Sequence, residues 1–323
     1  MNWTNVINSK LLALACILFL ILVLSACGGS GDGINASGRV RPEPPPGGNV
    51  CGPGEFLDGN VCRVFADVYE EQITTPFLED GERVTLQLAL YKPLEDRRHP
   101  TLVFHHGSTG NGSDPSLFGE TFVSETVARF FAERGWMVAF PQRRGRGASG
   151  GRYDEGFTPS RSGYSCQETI ALAGAERALD DLDAVTDWLR QQEDVDTTRM
   201  LVGGTSRGGI LSLAHAARRP DVYLGAVNFV GGWLGEGCGD YRSVNRRLFV
   251  DGAAFPGPTL WLYGANDSFY RLPYSRTNFD AFGSAGGVGE FRGYTRAPGL
   301  NGHFLINDPD LWSLSMDQFL DRL

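Results

Sequence analysis

The run Gly204-Thr205-Ser206-Arg207-Gly208-Gly209 stands between an apolar stretch, Met200-Leu201-Val202-Gly203, and a helical pattern from Ile210 to Arg218. Strand, tight turn and helix, with a serine at the apex, is a layout that nucleophilic chemistry can use. Glycines on both sides of the turn let strand and helix approach closely. The serine is then held clear of the sheet, beside a helix N-terminus that favours developing negative charge. Ser206 is the candidate nucleophile, and the plain alternative is a structural turn. A serine hydroxyl attacks only with a base within hydrogen-bond reach and a third group that orients the base. The chain has five histidines. His99 lies in a charged turn before a strand, and His105 and His106 close a strand upstream of the serine. His215 follows Ser206 by nine positions on the same helix, more than two turns away. His303, in Gly299-Leu300-Asn301-Gly302-His303-Phe304, sits in a glycine-bearing loop just ahead of the last helix and is the candidate base. The acid is expected after the preceding buried strand, where Tyr263-Gly264-Ala265-Asn266-Asp267 places Asp267 at the strand end. Asp251 and Asp240 precede that strand, and a turn or helix-capping aspartate is the other reading of Asp267.

These three side chains need a scaffold of strand ends. Arg83 to Tyr91 alternates as a strand, with Val84, Leu86, Leu88 and Leu90 on one face. Residues 101–105, 136–140, 199–203, 224–230, 259–263 and 290–294 are short runs of the kind that form strands. Helices are expected at 121–134, 175–191, after Ser206, and at 311–320. Alternation of this kind implies an α/β fold, a mainly parallel sheet with helices on both faces. The long connection 141–173 holds Arg143, Arg144, Arg146 and Cys166, and a connection of that length is usually functional.

The chain order Ser206, Asp267, His303, each at the C-terminal end of a strand, resembles the α/β-hydrolase superfamily over residues from about 80 to 323. It looks most like the dienelactone-hydrolase-like and prolyl-oligopeptidase-like branches. Arg143-Arg144-Gly145-Arg146-Gly147-Ala148-Ser149-Gly150-Gly151 is similar to a glycine- and arginine-rich segment found there. Dienelactone hydrolases proper carry a cysteine nucleophile where this chain has serine. No propeller domain of the kind true prolyl oligopeptidases carry is recognisable. The resemblance implies two backbone N–H groups that hold a tetrahedral oxyanion, each worth about 3–4 kcal/mol. One is that of Arg207. The other comes from the loop after Phe104-His105-His106-Gly107, with Ser108 as the candidate and Gly107 or Thr109 serving as well. His106 is implied to prop this loop and not to carry protons. The expected reaction is hydrolysis of a carboxylic ester through an acyl-enzyme, with a peptidase acting on short peptides as the rival enzyme. A surface-displayed binding protein without turnover is the non-enzyme rival. No metal or cofactor is implied.

Net charge is −9 over 323 residues, which argues against a nucleic-acid partner. At the N-terminus, Lys10 precedes the unbroken apolar run Leu11 to Leu24, which has the length of a signal peptide and is short for a membrane span. Leu24-Ser25-Ala26-Cys27 resembles the lipobox of bacterial lipoprotein signal peptides, which implies cleavage before Cys27 and its acylation. The expected layout is therefore a signal peptide at 1–26, a Gly/Pro-rich linker at 27–49, a small disulfide-closed extension at 50–66 and the hydrolase domain at 67–323. The protein would be exported and lipid-anchored to a bacterial membrane, the outer membrane in a Gram-negative cell. Cys16 leaves with the signal peptide, and Cys51, Cys62, Cys166 and Cys238 remain. An even number suits an oxidising compartment, and four cysteines allow three pairings. Cys51–Cys62 is favoured as local, worth about 2–3 kcal/mol, and Cys166–Cys238 follows by elimination. Zinc is the other reading, weakened by the lack of a C-x-x-C pair or a nearby histidine.

Overall fold

A computed structural model describes residues 51–59 and 61–323. The signal-peptide, linker and Cys27 readings lie outside the described residues. A two-stranded antiparallel hairpin, β1 (Glu55–Asp58) and β2 (Val61–Val64), carries the Cys51–Cys62 bridge. Then come β3 (Asp67–Glu79), β4 (Glu82–Lys92), β5 (His99–His105), α1 (Glu125–Ala132), β6 (Met137–Pro141), α2 (Glu168–Leu189) and β7 (Val195–Thr205). They are followed by α3 (Arg207–Arg218), β8 (Tyr223–Phe229), α4 (Tyr241–Gly252), β9 (Thr259–Gly264), α5 (Leu272–Ser284), β10 (Gly289–Tyr294) and α6 (Pro309–Leu320). Strands β3 to β10 form one sheet in the order β10-β9-β8-β7-β5-β6-β4-β3. It is parallel from β10 through to β6, and antiparallel where β4 pairs with β6 and with β3. Helices cover it: α1 packs with α6, while α2, α3, α4 and α5 pack in series. The expected α/β architecture is the one observed.

The parallel strands at the centre are buried on both faces, so they read as continuous apolar runs. Strand β3 gave no such signal. It lies at the sheet edge, carries Glu70 and Glu71, and shifts register between Thr74 and Leu78, where Pro76 is tolerated. Helix α1 is shorter than expected. Ser124 caps it by accepting the Val127 N–H, and the Phe122 N–H turns away to the Gln142 side chain at 2.8 Å. Helix α2 starts earlier, at Glu168. Its first turns bury Ala171, Gly174 and Ala175, and a Cβ on Gly174 would stand 2.2 Å from the Gly156 nitrogen. Helices α4 and α5 had no expectation. The buried face of α5 holds Ser275 and Asn278 beside Ala281 and Phe282, so no apolar period marks it.

His105 ends β5 with neither ring nitrogen hydrogen-bonded among the described residues, and its ring lies 5.9 Å from that of His215. Burial, then the nearby His215 and Arg143, holds the His105 imidazole well below its ordinary range, and burial also lowers His106 and His215. The unfolded chain therefore binds more protons than the folded one below about pH 6.5, and stability falls as pH falls from there. Each such histidine contributes about 1.4 kcal/mol per pH unit inside its window. Asp181, raised to about 6 by burial, works in the opposite direction, its contribution being lost as pH rises through that value. Replacing His105 by Leu should take about one proton from the pH dependence between pH 6.5 and 5, read from denaturant midpoints across that range.

Candidate active site

Ser206 sits at the junction of β7 and α3 with φ 56° and ψ −121°, a backbone region that costs a non-glycine residue about 1–3 kcal/mol. The turn over-determines it. The Ser206 N–H donates to the Phe229 carbonyl at 2.9 Å, and the Ser206 carbonyl accepts from Gly209 at 2.9 Å and Gly232 at 3.2 Å. The flanking glycines are required by contact. A Cβ on Gly204 would lie 2.4 Å from the Gly208 backbone, and one on Gly208 would lie 2.0 Å from the His105 carbonyl oxygen. At the end of β5, a Cβ on Gly107 would stand 3.1 Å from the Ser206 Cβ, so the loop bearing Ser108 passes directly beside the serine. Of the three candidate donors in that loop, Thr109 is taken, since its N–H donates to the Tyr164 hydroxyl at 3.1 Å. His106 props this loop. Its Nε2 accepts the Arg143 N–H at 3.2 Å, which leaves the proton on Nδ1 to reach the Gly107 carbonyl at 2.7 Å.

Asp267 follows β9, and His303 lies in a short 3-10 helix, Gly302–Asn307, ahead of α6. Asp267 Oδ2 and His303 Nδ1 are 3.0 Å apart. The other carboxylate oxygen, Oδ1, accepts the N–H groups of Phe269 at 2.7 Å and Tyr270 at 3.0 Å. Asn301 ties the two loops together: its Oδ1 accepts the His303 N–H at 3.0 Å and the Ser268 N–H at 3.2 Å. The crossing is tight, since a Cβ on Gly302 would stand 2.1 Å from the Ala265 carbonyl oxygen. Phe269 lies against the imidazole with centroids 4.5 Å apart, and Phe304 and Tyr270 stand at 5.8 and 5.7 Å. The Tyr270 hydroxyl donates to the Gly232 carbonyl at 2.8 Å and neighbours the Ser206 side chain. Among the hydrogen bonds of the described residues none joins Ser206 Oγ to His303 Nε2, and in enzymes this bond often tightens only in the complex with substrate. Asp251 pairs with the exposed Arg247 at 2.8 Å, and Asp240 accepts the Glu168 N–H at 2.9 Å, so both runners-up are engaged away from His303.

Behind the serine lies a cluster that the sequence did not announce. Arg207 is buried, with its guanidinium 3.7 Å from the Tyr164 ring centroid and 4.3 Å from that of Trp233. Glu155, from the long loop, sits between Arg207 at 3.4 Å and the equally buried Arg143 at 2.5 Å. Burial pushes the Glu155 carboxyl up, and the two guanidiniums outweigh it and hold it below its usual range. The signal that was available is Arg207 itself: an arginine in a buried turn calls for a countercharge.

The Cys166–Cys238 bridge joins the long loop to the loop after β8, as elimination had it. Both cysteines line a cavity of about 320 Å³ that also contains Ser206, Ser108, Arg207 and Trp233. Trp233 is both packed and lining. The bridge spans 72 positions. Replacing both cysteines by serine should cost about 2–4 kcal/mol in denaturant unfolding and should raise KM, because one cavity wall loses its tie. Among the described residues, no group of three or more histidine, cysteine, aspartate or glutamate side chains is placed to hold a metal.

Residues 122–233 match the model of the Prolyl oligopeptidase family. A provisionally named carboxymethylenebutenolidase of Methylorubrum extorquens is 26% identical over 152 residues, 47% of this chain and 48% of that protein. The chain thus spans about half the length of this curated relative. Among solved structures, the Pyrococcus furiosus esterase Pf2001 is similar with a TM-score of 0.55 at 16% identity, covering 80% of this chain and 90% of that one. The Pyrococcus horikoshii acylaminoacyl peptidase is similar with a TM-score of 0.54 at 16% identity, covering 79% of this chain but 41% of that one. The sheet order and the strained serine turn are those of an α/β-hydrolase fold, and over part of its length the chain is similar to the prolyl-oligopeptidase-like and dienelactone-hydrolase-like branch.

Proposed function

We propose that the protein is a serine hydrolase that cleaves a carboxylic ester through an acyl-enzyme. The observation that carries this is the Asp267–His303 pair at 3.0 Å, set on loops that meet beside the strained Ser206. Ser206 Oγ attacks the ester carbonyl as its proton passes to His303 Nε2. Asp267 keeps the other ring proton on Nδ1 and stabilises the imidazolium. The N–H groups of Arg207 and Ser108 hold the oxyanion. His303 then gives its proton to the leaving alkoxide, and water, activated by the same imidazole, releases the acid. A cavity walled by Trp233, Leu234, Phe269 and Tyr270 favours an ester with an apolar arm over a short peptide.

A fluorophosphonate probe should label the folded protein at Ser206, and p-nitrophenyl esters should be cleaved with a higher kcat/KM than aminoacyl p-nitroanilides. The reverse preference would make it a peptidase, and a folded protein that takes no label would be a binding protein. The proposal extends to location: exported and lipid-anchored through Cys27, with residues 1–26 removed as a signal peptide. The lipobox-like Leu24-Ser25-Ala26-Cys27 supports it, as do two disulfides suited to an oxidising compartment. Radiolabelled palmitate should enter the wild-type chain and not a Cys27→Ala variant; label in both would refute the anchor.

A further inference from the structure

A second hollow, of about 560 Å³, lies on the other side of one wall of the Ser206 cavity. The wall is two backbone segments whose residues alternate between the two spaces. Gly235 and Gly237 line the serine cavity while Glu236 between them faces the hollow; Tyr270 lines the first and Arg271 the second. The segments are joined: the Glu236 N–H donates to the Phe269 carbonyl at 3.1 Å, and Arg271 donates to Glu236 through its own N–H at 2.6 Å and its Nη2 at 2.6 Å. Across the hollow stand Arg242 and Arg246, one turn apart on α4 and both exposed. Neither makes an ion pair among the described residues, whereas Glu236, the one carboxylate lining this hollow, is taken by Arg271. Arg242 lies near enough to help hold the Glu236 carboxyl below its usual range, yet three guanidiniums to one carboxylate leave the lining of this concave space positive in a chain whose net charge is −9. A guanidinium fork matches a carboxylate in shape and charge.

We infer that this hollow receives a carboxylate carried by the substrate, on an arm that reaches from the ester at Ser206 across the Gly235–Gly237 rim. The inference rests on the ester-hydrolase reading and names the substrate class: long esters whose acyl arm ends in an acid. The rim sets a minimum reach, so a short arm gains nothing.

The test is a length series of mono-p-nitrophenyl esters of straight dicarboxylic acids, from four to twelve carbons. Each is compared with the same ester whose far acid is methylated. In the wild type the acid-to-methyl ratio of kcat/KM should be near one for the short members and rise about fivefold to tenfold at one longer length. In an Arg242→Gln, Arg246→Gln double variant the ratio should fall to near one while the methylated esters are cleaved as before. A ratio flat with length, or unmoved by the substitutions, overturns the inference. A separate readout covers failure of the ester reading itself. Azelate, as a probe, should bind Ser206→Ala protein several-fold more tightly than the same protein carrying the two glutamines, measured by ligand-observed NMR. Equal azelate binding overturns the inference whether or not any ester is cleaved. So does loss of binding to phosphatidylglycerol vesicles with azelate binding unchanged, which would make the arginines a lipid contact.

Discussion

Asp267→Asn is expected to lower kcat on a p-nitrophenyl ester by about 10³- to 10⁴-fold while the protein melts within a few degrees of wild type. The reason lies in which oxygen faces what. Oδ1 accepts two backbone N–H groups, from Phe269 and Tyr270. An asparagine must put its carbonyl there, because an amide N–H₂ facing two donors leaves three donors with no acceptor. Its amide then faces His303 Nδ1, where Oδ2 stood. That nitrogen becomes an acceptor, the ring proton moves to Nε2, and the nitrogen facing the serine can no longer take a proton. The loss is one of tautomer and not of position. Asp251→Asn and Asp240→Asn should leave kcat within about twofold, because those carboxylates serve Arg247 and the first turn of α2. An Asp267→Asn enzyme with more than a tenth of wild-type kcat would remove Asp267 from the mechanism.

The sequence alone singles out Ser206, Asp267 and His303 as the candidates because each is marked by its surroundings. Buried parallel strands are apolar throughout, so their ends are visible, and the glycines of a tight turn are visible as glycines. What stayed hidden is side-chain traffic between distant segments. Asn301 looks like any loop asparagine, yet it bridges the His303 turn to Ser268, 33 positions upstream. Glu155 is one acid in a long glycine-rich loop, and only folding brings it between two arginines. Helix α5 is illegible for a related reason. Its buried face carries Ser275, whose hydroxyl donates to the Tyr270 carbonyl at 3.3 Å, and Asn278, at positions where a period would need aliphatics. Strand β3 is masked by being an edge, where charge and proline are tolerated. The legible parts of the chain follow from local pattern, and the illegible parts follow from partners chosen across the sheet.

Glu155 is where that non-local choice should be felt most. Glu155→Gln is expected to cost about 3–5 kcal/mol of stability, which for a domain of this size is a melting point lower by on the order of 10 °C. The carboxylate accepts from Arg143 at 2.5 Å and sits 3.4 Å from Arg207, with each of the three side chains at most 3% exposed. Glutamine keeps one carbonyl oxygen and turns an N–H₂ toward the other guanidinium, so two buried cations share one neutral acceptor. Arg207 should be the looser of the two, being held by the longer contact. Its backbone N–H is the proposed oxyanion donor, so kcat should fall together with stability. A surface change of the same chemistry sets the scale. Glu176→Gln removes one of the three carboxylates paired with Arg218, the others being Asp180 and Asp183, and should cost under about 1 kcal/mol. Adding Arg143→Met to Glu155→Gln removes one of the two stranded cations and should restore part of the loss, a coupling that a double-mutant cycle reads directly. A cycle with no coupling would mean that Glu155 acts through shape and not charge. The serine turn would then owe its geometry to its glycines and its backbone hydrogen bonds.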